Sequence, residues 1–146
     1  MSVRELLRTK EPAVTVRTGT TVHHAARMLM RHGIGGLPVL DDAGDLVGFL
    51  SERDIVRALD ESGTSATSVA VERVMQRPAP TCPADTTLRD LMGQMTGRRT
   101  RHVVITDGRR IAGVVSVGDL VKHRLSQLET EAEVLRDYVA AQRAMS

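Results

Sequence analysis

The stretch Leu46-Val47-Gly48-Phe49-Leu50-Ser51-Glu52-Arg53-Asp54-Ile55 returns later as Ile111-Ala112-Gly113-Val114-Val115-Ser116-Val117-Gly118-Asp119-Leu120. Gly48 matches Gly113, Ser51 matches Ser116 and Asp54 matches Asp119. In both, an apolar run leads straight into S-x-x-D, the pattern of a strand entering a helix N-terminus. Working outward, Pro12-Ala13-Val14-Thr15 is echoed by Pro78-Ala79-Pro80-Thr81, and Thr20-Thr21-Val22 by Thr86-Thr87-Leu88, both at an offset of 66. Asp41 matches Asp107, and one residue is lost in the turn that follows. The chain is therefore two copies of a unit of about 60 residues.

Each unit reads as helix, strand, helix, strand, strand, helix. In the first, Ser2-x-x-Glu5 opens a short helix with Leu6 and Leu7. Val14 to Val16 is a short extended piece. Thr21 caps a helix carrying Val22, Ala25, Ala26 and Leu29 on one face, and Gly33 ends it. Leu37 to Leu40 and Leu46 to Leu50 are strands about the turn Asp41-Asp42-Ala43-Gly44. In the second unit Thr87-x-x-Asp90 caps the main helix, and Asp107-Gly108 signals a hairpin. The fold class predicted is α+β (α/β-like): repeat 1 over 1–61, a polar Ser/Thr-rich linker over 62–68, repeat 2 over 69–125. Neither repeat buries enough apolar surface alone, so they are expected to pack about a pseudo-two-fold axis.

A C-terminal amphipathic helix is expected over 126–146. Leu125, Leu128, Ala132, Leu135 and Val139 form an a/d seam with charged flanks. It suits a helix folded back on the core or a dimer contact.

Composition narrows the function. The 146 residues are 41% hydrophobic and 26% charged, an ordinary globular balance. Aromatics are 1%, only Phe49 and Tyr138, with no Trp. Stacking platforms for single-stranded nucleic acid are therefore excluded, and a flat ligand must be held by aliphatic side chains and backbone. Twenty Lys+Arg against eighteen Asp+Glu leave a net charge of +2, so local clusters matter more than the total. Cys82 has no partner for a disulfide or a zinc site. No signal core or membrane span is evident, so a cytoplasmic location is expected. The five histidines show no metal-ligand spacing, and Ser51 and Ser116 have no neighbouring His base. No catalytic residue and no metal ligand is assigned, and no cofactor is required.

The S-x-x-D sequences have two readings. One is a capping box. The other is an anion site, because a helix N-terminus favours negative charge, a Ser hydroxyl can meet phosphate, and an Asp can accept from a ribose. The doubled pattern resembles a tandem pair of cystathionine-β-synthase (CBS) domains, a Bateman module. The residues that carry it are Ile34-Gly35-Gly36-Leu37-Pro38-Val39, Asp41-x-x-Gly44-x-Leu46-Val47-Gly48 and Ser51-x-x-Asp54-Ile55. In the second copy they are Arg101-His102-Val103-Val104-Ile105, Asp107-Gly108, Ile111 to Ser116 and Asp119-Leu120-Val121. The match runs from about residue 3 to 125. With no fused partner, the chain resembles stand-alone bacterial CBS-pair proteins.

The resemblance implies two clefts for adenosine-containing ligands: AMP, ADP or ATP, less often NAD(H) or S-adenosylmethionine. It places ribose recognition on Asp54 and Asp119, beside Ser51 and Ser116. It places the adenine pocket on Ile34, Gly35, Leu37 and Pro38, and on Thr100, Arg101 and Val103, with Thr15 and Thr81 touching ligand. In the second cleft Arg99, Arg101 and His102 suit phosphate or a helix C-terminus equally; Arg53 serves the first. Val104 stands where the first copy has Pro38. The expected function is a regulatory nucleotide-binding module without catalysis, which signals ligand state to an effector protein. The resemblance also implies a disc-shaped homodimer. The alternative is nucleic-acid binding through the basic cluster at 98–102.

Overall fold

The computed structural model describes residues 1–145. It divides into two compact units, Met1–Val115 and the chain from Ser116 onward. The elements run α1 (Val3–Leu7), β1 (Val16–Arg17), α2 (Val22–His32), β2 (Gly36–Leu40), β3 (Leu46–Ser51), α3 (Glu52–Ser62), β4 (Thr81–Pro83), α4 (Leu88–Arg98), β5 (His102–Asp107), β6 (Arg110–Ser116) and α5 (Val117–Met145). Two three-stranded sheets result, ordered β1-β2-β3 and β4-β5-β6. In each the first pair is parallel, Val16 beside Val39 and Cys82 beside Ile105. The helix between them supplies the crossover that a parallel pair requires. The mixed α+β repeat architecture is as the sequence predicts.

Local signals set the helix ends. Thr21 accepts from the His24 N–H at 3.1 Å, and Thr87 does the same for Asp90 at 3.1 Å. Gly33 closes α2 at φ 62°, a left-handed conformation that glycine adopts without a side-chain clash. Val22, Ala25 and Leu29 of α2 pack with Leu37, Val39, Leu50 and Ile55 in the core of the first sheet.

The repeats exchange their opening segments. Segment 1–7 bonds to the second repeat: Val3 N–H donates to Thr86 O at 2.8 Å, and Leu88 N–H to Met1 O at 3.1 Å. Segment 69–76 mirrors this on the first repeat: Val71 N–H donates to Thr20 O at 2.8 Å, and Val22 N–H to Val69 O at 2.9 Å. Glycines in β3 and β6 admit the visitors. A Cβ on Gly48 would strike Met75 Sδ and lie 2.7 Å from Gln76 O. One on Gly113 would lie 2.6 Å from Leu7 Cδ2. An exposed Arg4–Asp107 ion pair at 2.9 Å adds to the first exchange.

Several expectations need correction. The extended piece at 14–16 is a strand only at Val16–Arg17, so Thr15 lies just before it. The stretch 62–68 read as a linker is helical: Ser62 ends α3, and Gly63–Ser68 forms a 3-10 helix with Ala66 buried. The opening helix of repeat 2 is a single 3-10 turn, Val71–Arg73. The boundary at 125/126 falls inside α5, which runs unbroken from Val117 because no Gly or Pro interrupts it after Gly118. Ser146, the last residue of the expected helix, lies outside the described residues.

Candidate functional site

The first S-x-x-D sequence forms the capping box. Asp54 Oδ2 accepts from the Ser51 N–H at 2.9 Å and from the Ser51 hydroxyl at 2.9 Å; the Asp54 N–H returns a bond to Ser51 Oγ at 3.2 Å. Oδ1 accepts from Arg57 at 3.3 Å. Asp54 is only 2% exposed, so its carboxylate is occupied by the helix it starts. The second copy repeats the geometry: Ser116 N–H donates to Asp119 Oδ2 at 2.8 Å, and Asp119 N–H to Ser116 Oγ at 3.1 Å.

A cavity of about 190 Å³ opens beside the first box. Gly35, Phe49, Ser51, Glu52, Arg53, Gln76, Arg99, Thr100, Arg101 and His102 line it. The N-terminus of α3 points its positive dipole end toward this opening. The lining residues include three arginines, Arg53, Arg99 and Arg101, and one acid, Glu52. Glycine at 35 keeps the space open: a Cβ there would lie 2.9 Å from Glu52 Oε1 and 3.0 Å from His102 Nε2. The His102 ring sits 5.3 Å from that of Phe49, tilted by 35°. Thr100 Oγ1 is buried and has no hydrogen-bond partner among the described residues. The volume lies below the ~300–1,000 Å³ of sites for drug-sized ligands. It fits one charged end of a larger molecule better than the whole of it.

Seven of the residues singled out in the sequence meet here: Gly35, Ser51, Arg53, Arg99, Thr100, Arg101 and His102. The basic cluster expected in the second cleft lies instead beside Ser51 and Arg53 of the first repeat. The residues after α4 reach it because β5 starts opposite Gly35, where no side chain intervenes. Leu37, Pro38 and Val103 are not at the cavity. They are buried, Leu37 in the core cluster and Pro38 paired with Phe49 in the sheet, because strand side chains alternate toward packed faces. Ile34 is half-buried next to the site, Thr15 is half-buried in the lead to β1, and Thr81 is exposed on β4. The wall carries polar and charged side chains with the Phe49 and His102 rings, and none of the aliphatic side chains expected in an adenine pocket lines it.

Sequence reasoning missed Phe49, Glu52 and Gln76. Glu52 was legible as a member of S-x-x-D. Gln76 carried no signal; it arrives through the exchanged segment, exchanging backbone bonds of 2.8 and 3.0 Å with Phe49. Cys82 is buried, and that burial pushes its thiol pKa up, with a hydrogen bond to Thr86 opposing. Among the described residues no three His, Cys, Asp or Glu side chains gather as a metal site, and no helix is long and apolar enough to cross a membrane.

The CBS domain model matches residues 3–61 and 71–126. The chain belongs to the CBS domain family. A CBS-domain protein of Agrobacterium tumefaciens superposes with a TM-score of 0.80 at 36% identity, over 84% of this chain and 92% of that one. The CBS domain pair of protein MJ0100, solved with 5′-methylthioadenosine and S-adenosyl-L-methionine, superposes at 0.77 with 26% identity, over 87% of this chain and 98% of that pair. The mitochondrial CBS domain-containing protein CBSX3 of Arabidopsis thaliana is 29% identical over 126 residues, 84% of this chain. This CBS pair spans 61% of that protein's length, and 22% and 64% of two other curated relatives.

Proposed function

We propose that this CBS pair is a regulatory module, without catalysis of its own, that binds an adenosine-containing ligand and passes its occupancy to an effector protein. The observation that carries the reading is the cavity at the start of α3, whose lining brings Arg53 together with Arg99, Thr100 and Arg101. Guanidiniums bind phosphate or carboxylate in bidentate fashion, and the helix N-terminus adds to their field. The MJ0100 pair, with its bound methylthioadenosine and S-adenosylmethionine, supports the adenosyl class. AMP, ADP, ATP and NAD(H) belong to the same class, and their phosphates match the three arginines. Ligand shifts the module only by binding one arrangement of it better than another, and the effector reads that difference. The setting proposed is the cytoplasm.

Calorimetry with AMP, ATP, NADH and S-adenosylmethionine tests this on the wild type, Arg101→Glu and Thr100→Val. At least one ligand is expected to bind, and both substitutions to weaken it. Binding by none of the four refutes the reading. Binding unmoved by Arg101→Glu and Thr100→Val shows that this cavity is not the site.

A further inference from the structure

We propose that α5 joins two copies of this chain as a parallel, in-register coiled coil. Val121, Leu125, Leu128, Ala132, Leu135 and Val139 follow one another at alternating steps of four and three. This is the a/d seam of a helix pair. The five larger ones stand open: Val121 is 53% exposed, Leu125 55%, Leu128 43%, Leu135 63% and Val139 40%. No residue of α5 is buried. A continuous apolar stripe about 27 Å long is more than the scattered apolar residues of an ordinary surface.

The flanking charges select the occupant and its direction. Arg124 and Glu131 occupy g positions, and Glu129 and Arg136 occupy e positions, with Lys122 at e one heptad earlier. In a parallel, in-register pair each g residue faces the e residue five places on in the second copy. Arg124 then meets the second copy's Glu129, and Glu131 meets the second copy's Arg136. Two-fold symmetry doubles both, giving four pairs of opposite charge. The antiparallel pairing that keeps the same seam in contact sets Glu129 against Glu129, Glu131 against Glu131 and Lys122 against Arg136. The charge pattern thus matches a second copy of this helix in one direction and opposes the other.

The test uses the full, ligand-free chain, so it stands apart from the ligand reading. Sedimentation across a concentration series should show a particle of twice the 15.9 kDa chain mass. Glu131→Arg or Arg136→Glu alone turns two attractive contacts into repulsive ones and should raise the dissociation constant on the order of tenfold. The two together should restore it. Circular dichroism equal to wild type shows that the helix persists in each. Gln142→Cys, one layer beyond Val139, should oxidise to an interchain disulfide; antiparallel pairings separate those positions by roughly 25 Å or more. A monomer at every concentration overturns the proposal. So do reversals without effect, a double variant that does not recover, or a Gln142→Cys protein that does not cross-link.

Discussion

Asp54→Ala should cost this protein stability before any ligand is added. The substitution removes the acceptor for the Ser51 N–H and the Ser51 hydroxyl, both at 2.9 Å, in a residue that is itself buried. An unsatisfied buried donor costs about 1–3 kcal/mol, and a hydrogen bond to a charged group contributes about 1.5–3. Relief of the buried carboxylate's desolvation offsets part of this. The net expectation is a loss of about 2–4 kcal/mol, or roughly 5–15 °C in Tm for a chain of this size. Asp54→Asn keeps one acceptor and should lose about half as much. The Arg57 contact, long at 3.3 Å and largely solvated, adds little. Urea unfolding followed by far-ultraviolet circular dichroism is the assay, since the chain has no Trp to report. Ser51→Ala combined with Asp54→Ala should cost less than the sum of the two, because each depends on the other. A loss below about 0.5 kcal/mol for Asp54→Ala, or strict additivity, would refute the capping argument.

Gly48→Ala should destabilise by about 1–3 kcal/mol through overpacking against Met75 and the Gln76 carbonyl, whereas Gly35→Ala, meeting only the ends of the Glu52 and His102 side chains, should leave Tm nearly unchanged and weaken ligand binding. Equal Tm losses for the two would contradict this. The Arg4 hydrogen bond and charge hold Asp107 below the ordinary carboxylate range, so the folded state favours the ionised form. That contribution is complete at neutral pH and fades as pH falls through the lowered value. The Tm gap between wild type and Asp107→Asn should therefore shrink below about pH 4, and a gap that widens there refutes the assignment. Cys82, buried with a raised pKa, should resist a thiol reagent in native protein and react fully in denaturant. Rapid labelling of the native chain would show that β4 opens.

Much of this architecture was legible in residues alone. Caps were readable because each depends on a hydrogen bond three residues away: Thr21 to His24, Thr87 to Asp90, Ser51 to Asp54. The repeat was readable because Gly48, Ser51 and Asp54 recur as Gly113, Ser116 and Asp119, and a doubled unit too small to stand alone must share a core. The seam on α5 was readable as a period, though its continuity with the last helix of the repeat was not.

What only the tertiary structure decided lies between residues far apart in the chain. The exchange of segments 1–7 and 69–76 rests on backbone bonds such as Val3 to Thr86 and Val71 to Thr20, which leave no local pattern. That exchange brings Gln76 to Phe49, and the packing of the repeats brings Arg99 to His102 onto Gly35 and Ser51. Sequence determined which residues could start a helix, line a strand or carry charge, because those are properties of neighbours. Which of them share a cavity was settled by where two sub-threshold repeats bury their apolar faces, and burial is a property of the whole chain.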